Sequence, residues 1–155
     1  MRQREETMLK RLLETDKNDV AGFVTRVFLG VVMFPHGAQK LLGWFGGYGF
    51  SATMGFFGSM GIPPVFAFLA IVAEFFGALG VIFGLITRVA AFGIGMVMLV
   101  AITAVHLPNG FFAQQNGIEY TLILFGVALA VMIKGAGRWS LDELLVRVLS
   151  NRTQN

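Results

Sequence analysis

Two long stretches of this chain are almost free of charge. Residues 41–87 contain no lysine or arginine and Glu74 is their only acid, and in residues 89–133 the only acid is Glu119. A soluble domain covers its surface with charge, but only 14% of these 155 residues are charged and 55% are hydrophobic. The pattern therefore predicts a protein that spans a membrane.

The hydrophobic segments predict an all-α fold, an integral-membrane four-helix bundle. At about 1.5 Å per residue, each segment is long enough to cross most of a hydrocarbon core. The predicted spans are residues 20–42, 63–86, 88–107 and 117–133.

Three segments lie outside these spans. Residues 1–19 and 135–155 are charged and weakly amphipathic, and we predict them to be short surface segments flanking a 20–134 membrane domain. In the second of them, Ser140 and Glu143 have the spacing of a helix-capping box. Residues 41–62 are uncharged, aromatic and rich in glycine, so we predict a re-entrant or interfacial segment that lies over the bundle.

Basic residues predict the orientation of the chain. They cluster at the two ends, and Arg88 marks the turn between the second and third spans. Because lysine and arginine favour the cytoplasmic side of a membrane, both termini and the Arg88 turn are predicted to be cytoplasmic. The basic ends are suited to anionic lipid, and we expect no nucleic-acid partner.

Charged residues at bilayer depth are costly and indicate functional sites. Arg26 and Glu74 lie roughly 9 and 13 Å from the cytoplasmic edge at 1.5 Å per residue, so we expect them to meet. One interpretation is a buried ion pair that fixes helix register. The other is a proton-active carboxylate whose pKa the arginine tunes.

A second polar group is predicted near the outer face, beneath the aromatic connection. It consists of His36 and Lys40 on the first span, His106 at the end of the third, and Glu119 at the start of the fourth. This set suits a quinone carbonyl, a phenolic oxygen or an anionic group. The alternative interpretation is a capping network that satisfies helix ends.

These observations give the predicted site residues. We predict as catalytic His36, Lys40, Glu74 and Glu119. We predict as cofactor-binding Arg26, His36, Lys40 and His106. We predict no metal site. A haem held by His36 and His106 is not expected, since only their estimated depths pair them.

Other residues bear on packing and on excluded chemistry. The chain has no cysteine, which excludes a disulfide, a cysteine thiol relay and an iron–sulfur cluster held by this chain alone. No dinucleotide or phosphate-binding motif occurs, so a flavin or metal would have to come from a partner. Gly126 and Ala130 form a small-xxx-small pair that predicts a close helix contact and permits homo-oligomers.

Three segments of the chain resemble, in order, the signature of the DoxX family. They are residues 34–41 (FPHGAQKL), residues 74–88 (EFFGALG followed by GLITR), and residues 135–142 (GAGRWSLD). The resemblance covers about residues 20–143 and implies a four-helix protein of the bacterial inner membrane. It implies that the recurring polar positions of the family are Arg26, His36, Lys40, Glu74 and Arg88. Relatives include a membrane subunit of a thiosulfate:quinone oxidoreductase and proteins linked to quinone and oxidant stress.

Together, the residues and the resemblance predict a quinone-linked redox membrane protein, or the membrane subunit of an oxidoreductase complex. The quinone would enter from the lipid, His36 and Lys40 would bind its oxygens, and Glu119 or His106 would exchange protons. Glu74, balanced by Arg26, would hold a proton deeper in the bundle. The expected partners are the lipid bilayer, a soluble redox protein and a second copy of the chain. The alternatives are a small-solute permease or a non-catalytic membrane anchor for a soluble partner.

Overall fold

The computed structural model describes residues 12–152, with side chains to residue 150. This part of the chain is helical and contains no strand. The α-helices are α1 (Val20–Leu42), α2 (Gly49–Ser59), α3 (Pro64–Phe83), α4 (Thr87–Ala101), α5 (Glu119–Lys134) and α6 (Leu141–Arg152). A π-helical turn, Ile102–His106, and short 3₁₀ turns at Leu107–Asn109 and Ala113–Gln115 join α4 to α5. Most of the predicted N-terminal surface segment, residues 1–11, lies outside the described residues.

Caps and turn residues set the limits of the first long helices. The Asp19 carboxylate accepts a hydrogen bond from the Gly22 N–H at 2.8 Å, which satisfies a free donor at the start of α1. Gly43, with φ of 74°, ends that helix in the left-handed region that glycine adopts without strain. Pro64 opens α3, where a missing N–H costs little. Gly84, with φ of 67°, ends it.

Helices α1, α3, α4 and α5 form the bundle, and α2 lies against α1 and α3. The interior is apolar and built from residues of all four helices, including Leu29, Met33, Ala78, Ile94 and Val131. Large apolar side chains also cover the outside, and Phe28 is 68% exposed. An apolar exterior around an apolar core is the pattern of a protein surrounded by lipid. The predicted all-helical membrane bundle is therefore confirmed.

The described helices differ in how well they match a bilayer. Three are long and apolar enough to span it: Val20–Leu42, Pro64–Phe83 and Thr87–Asn109. The fourth bundle helix, α5, has 16 residues and measures about 24 Å at 1.5 Å per residue. Its crossing of the membrane, like the orientation of the termini, stays a prediction.

The bundle has two distinct ends. At the Arg88 end, α1 and α4 begin and α3 and α5 terminate; at the α2 end, the connections from α1 to α3 and from α4 to α5 are made. Asp19 and Lys134 form an ion pair of 2.8 Å at the Arg88 end. The hydrogen bond that Lys134 donates within this ion pair lowers the pKa of the Asp19 carboxyl below its usual value.

Of two local predictions, the Ser140 helix cap is confirmed and the close contact at Gly126 and Ala130 is not. Ser140 accepts a hydrogen bond from the Glu143 N–H at 3.2 Å, so it caps α6 as predicted. Gly126 and Ala130 are both exposed, and a Cβ added at Gly126 would have no neighbour within 4 Å. The predicted close contact is therefore wrong within this chain, because α5 turns this face away from the other helices. A contact with a second copy stays a prediction.

Candidate functional site

An ion pair between α1 and α3 occupies the membrane-spanning part of the bundle. Glu74 is buried, with 3% of the residue exposed, and its Oε2 accepts a hydrogen bond from Lys40 Nζ. Glycine makes this approach possible, since a Cβ at Gly37 would lie 2.5 Å from Phe75 Cα. The absence of that Cβ lets α1 touch the α3 backbone one turn before Lys40.

The pair opens onto a large groove along α3 and α4. The groove has a volume of about 850 Å³ and extends from Phe57 and Ile62 near the α2 end to Val89 near the Arg88 end. Lys40 and Glu74 are its ionisable lining residues, and every other lining residue is apolar or glycine. The feature is therefore an apolar groove on the lipid-facing side of the bundle, with one charged pair in its wall.

A second cavity of about 460 Å³ lies beneath α2. Its polar lining side chains are Gln39, Lys40, Tyr48 and Thr53. Lys40 and Phe57 line both cavities, so the Lys40 side chain stands between them.

His36 lies one helical turn before Lys40 but faces another neighbour. Its ring centroid is 6.2 Å from that of Tyr120 on α5, and it lines neither cavity. The structure thus brings His36 near the pair along α1 without placing it in the groove.

His106 and Glu119 belong to the connection between α4 and α5. His106 Nδ1 donates to the Asn116 carbonyl oxygen at 2.8 Å, and Glu119 Oε2 accepts from the Ala113 N–H at 2.9 Å. Among the described residues, no hydrogen bond or ion pair joins either of them to His36 or Lys40. These contacts match the capping interpretation, and a shared role of the four residues stays a prediction.

Arg26 has carbonyl partners in place of Glu74. Its guanidinium is fully buried and donates to the main-chain oxygens of Val81 (2.8 Å), Ile82, Ala136 (2.6 Å), Arg138 (3.3 Å) and Trp139 (2.7 Å). The bonds to Val81 and Ile82 close the end of α3, whose last carbonyls have no partner within the helix, and the other three join residues 136–139 to it. The predicted Arg26–Glu74 pair is therefore wrong.

Side-chain direction explains the exchange of partners. Side chains on a helix lean toward the N-terminus of that helix. Arg26 on α1 therefore leans toward the Arg88 end, whereas Glu74 on the antiparallel α3 leans toward the α2 end. Lys40, near the C-terminus of α1, leans back toward Glu74 and meets it.

Two residues at the Arg88 end have structural roles that sequence reasoning did not assign. Arg88 donates to the carbonyl oxygens of Met132 (3.0 Å) and Ile133 (2.6 Å) and so closes α5. The Asp142 carboxylate accepts from the N–H groups of Ile86 (2.6 Å) and Thr87 (2.9 Å) and so caps α4. Asp142 follows Ser140 at a helix start, which gave no sign that its side chain serves a different helix.

Within residues 12–152, no group of three or more histidine, aspartate or glutamate side chains is placed to hold a metal ion. The Lys40–Glu74 pair is the one charged feature in the wall of the large groove. It is the candidate site for an organic ligand with polar and apolar parts.

Comparisons with known proteins agree with the sequence resemblance. The DoxX family model matches residues 21–107. The chain is 31% identical over 133 residues to a Bacillus subtilis protein named "Putative oxidoreductase CatD", covering 86% of this chain and 92% of that one. It is 31% identical over 130 residues to the Escherichia coli "Inner membrane protein YqjF", covering 82% and 93% of the two chains. No solved structure matches significantly.

Proposed function

Because this chain belongs to the DoxX family of membrane proteins, we propose that it is a quinone-linked oxidoreductase of the bacterial inner membrane, or the membrane subunit of one. The observation that carries the proposal is the Lys40–Glu74 pair in the wall of an otherwise apolar groove. The printed name of the Bacillus subtilis relative, "Putative oxidoreductase CatD", supports redox chemistry over other uses of such a groove.

The residues present fit a quinone in both of its oxidation states. The Lys40 ammonium can donate a hydrogen bond to a quinone carbonyl, and the Glu74 carboxylate can accept one from a quinol hydroxyl. The surrounding apolar groove suits the ring and the hydrocarbon tail of a lipid-soluble quinone. A purely water-soluble ligand would gain little binding free energy from contact with this apolar lining.

A bound quinone would supply two-electron chemistry, since its reduction to the quinol takes up two electrons and two protons. We assign the two electrons to a soluble redox partner, and to this chain the binding of the ring and the supply of the two protons, one after the other, at Lys40. The pair is well placed for this task, because the buried Glu74 carboxylate and the apolar groove lower the local dielectric and so strengthen the interaction of both charges with a ligand.

The other predicted site residues have less structural support for a contact with the ligand. His36 stands one turn from Lys40 and stays a predicted second contact. Arg26, His106 and Glu119 line neither cavity, so catalytic or cofactor-binding roles for them stay predictions without geometric support.

Binding of a short-tailed ubiquinone to the purified protein in detergent tests the proposal. We expect wild-type protein to bind it, Lys40→Met and Glu74→Gln to weaken binding about tenfold or more, and Lys40→Arg to retain part of it, since a charged hydrogen bond contributes about 1.5–3 kcal/mol. Lys134→Met is the matched control, since Lys134 is exposed and lines neither cavity, and this variant should bind normally.

Two results would contradict the proposal. One is wild-type protein that neither binds quinone nor retains it on extraction. The other is Lys40→Met protein that is folded by circular dichroism and binds as tightly as wild type. Solute flux in liposomes that is lost in Glu74→Gln would then favour the permease alternative.

A further inference from the structure

We propose that the cavity beneath α2 is an aqueous vestibule through which Lys40 exchanges protons with the water on the α2 side of the membrane. The proposal rests on the proposed function for its purpose, since it supplies the protons that quinone chemistry consumes or releases. The existence of the vestibule, however, is a property of the chain alone. We define the vestibule by its lining residues, which are Gln39, Lys40, Gly46, Gly47, Tyr48, Ala52, Thr53, Phe56 and Phe57.

The two members of the ion pair differ in how far they reach toward solvent. The Lys40 side chain is 29% exposed, whereas that of Glu74 is 4% exposed. Lys40 also lines both cavities, and Glu74 lines only the groove. Lys40 is therefore the member of the pair that water can reach.

The lining of the vestibule is suited to water. Its volume of about 460 Å³ far exceeds the roughly 30 Å³ that one water molecule occupies, and several side chains can bind water. These are the Gln39 amide, the Tyr48 hydroxyl and the Thr53 hydroxyl, besides the Lys40 ammonium. Charged residues at membrane depth commonly face water-filled cavities, because hydration offsets the cost of the charge.

Glycines and one hydrogen bond hold the vestibule walls in place. Gln39 Nε2 donates to the Phe45 carbonyl oxygen at 3.1 Å and ties the connection to α1. Gly47 lies directly against the Gln39 backbone, where a Cβ would overlap it. Gly43 and Gly49 have φ values of 74° and 75°, which allow the tight turn that brings α2 back over the end of α1.

Among the described residues, the surroundings of the pair away from α2 are apolar. The groove wall beyond the pair is apolar and faces lipid. Toward the Arg88 end, the interior between the helices consists of apolar side chains such as Leu29, Met33 and Ile94. The titratable groups around Lys40 are Glu74 on α3, His36 on its own helix and Tyr48 at the start of α2. Proton exchange is therefore expected from the α2 side.

The absence of cysteine from the chain permits a direct test in the full-length protein. Single cysteines are placed at Thr53 in the vestibule, at Tyr48 on its rim, and at Ala70 in the groove. Each variant in sealed membranes is treated with a membrane-impermeant thiosulfonate and, separately, with a lipid-soluble maleimide. Thr53→Cys should react with the impermeant reagent from the side on which Tyr48→Cys reacts, whereas Ala70→Cys should react only with the maleimide.

A charge test links the vestibule to Lys40. Because the ammonium attracts anions, an anionic thiosulfonate should label Thr53→Cys several-fold faster, relative to a cationic one, than it labels the Thr53→Cys/Lys40→Met variant. If Thr53→Cys does not fold, Ala52→Cys on the same wall replaces it.

Labelling requires no quinone, so the two proposals fail separately. A Thr53 cysteine that is shielded from the impermeant reagent in membranes, yet reacts after denaturation in detergent, would overturn the vestibule and leave quinone binding intact. A charge preference that is unchanged by Lys40→Met would likewise overturn it. Normal labelling together with absent quinone binding would support the vestibule and contradict the proposed function.

Discussion

Glu74 is the only acid in α3, and its burial is tolerated because Lys40 reaches it from α1. A buried carboxylate without a partner loses its hydration and gains nothing in return, whereas a paired one recovers part of that cost. The pair therefore couples the stability of the bundle to the site that we propose for the ligand.

A double-mutant cycle tests this coupling. We expect Lys40→Met to destabilise the protein by about 3 kcal/mol, since it leaves a buried carboxylate alone, and Glu74→Gln to cost less because the amide is neutral. The double variant should be more stable than the sum of the single effects by about 1 kcal/mol or more. Unfolding in a denaturing-detergent titration measures all four proteins, and strictly additive effects would contradict the pairing.

Arg26 shows a different use of a buried charge. Its guanidinium presents five N–H donors in a fixed fork, and the structure directs them to five carbonyl oxygens from two segments. A lysine has a single ammonium and cannot reproduce that arrangement. The role seen here is to hold the end of α3 and residues 136–139 together.

At the scale of helices, the close contact of α1 with α3 determines where the charged pair forms. Gly30 and Gly37 both face α3, and a Cβ at either position would overlap atoms of that helix. Small residues at such a contact let backbones approach closely, which is the main source of helix association inside a membrane.

A pair of glycine-to-alanine changes tests this contact. Gly37→Ala should destabilise the protein by about 2 kcal/mol, because the added methyl forces α1 away from Phe75. Gly126→Ala adds the same methyl where no atom lies within 4 Å and should be neutral or stabilising by up to about 1 kcal/mol. Thermal unfolding in detergent compares them, and equal effects would argue against the α1–α3 contact.

At the Arg88 end of the bundle, three charged side chains form hydrogen bonds to the ends of helices. Arg26 closes α3, Arg88 closes α5 and Asp142 caps α4. Helix termini leave N–H and C=O groups without partners, and such groups are costly near the hydrocarbon region. Arg26, Arg88 and Asp142 therefore have structural roles at the helix ends, and Lys40 and Glu74 are the charged pair that faces the groove.

At the scale of the whole molecule, the two ends differ in character. The Arg88 end carries basic residues and interlocking caps, whereas the α2 end carries exposed aromatic side chains, including Trp44, Phe45 and Tyr48. Aromatic residues favour the membrane interface and basic residues the cytoplasmic side. The α2 end, and the vestibule with it, is therefore predicted to face outward.

Cysteine labelling in intact cells tests this orientation. An impermeant maleimide should label Tyr48→Cys in intact cells and Asn18→Cys, at the Arg88 end, only after lysis. Both positions are exposed, so the comparison reports the side of the membrane and not burial. The reverse pattern would contradict the predicted orientation and would move the vestibule to the cytoplasmic side.

The sequence by itself determined the class of protein and most of its helices. Long uncharged segments indicate membrane-spanning helices whatever their neighbours in the fold. Unpaired backbone N–H and C=O groups are costly in lipid, and a helix pairs these groups within a single segment. The first predicted span, residues 20–42, agrees with α1 at both ends, since Asp19 and Gly43 are local signals that act within one helical turn. The resemblance, carried by short motifs in order, likewise identified the family.

Only the tertiary structure decided which polar residues meet. Depth along the helices predicted a pair of Glu74 with Arg26. On antiparallel helices, however, these two side chains lean toward opposite ends of the bundle, and Glu74 pairs with Lys40 instead. Asp142 caps a helix 55 residues away in sequence, and no local pattern reports such a contact. The groove and the vestibule, too, exist only once α2 folds back over α1, because a cavity belongs to the packing of several elements and not to any one of them.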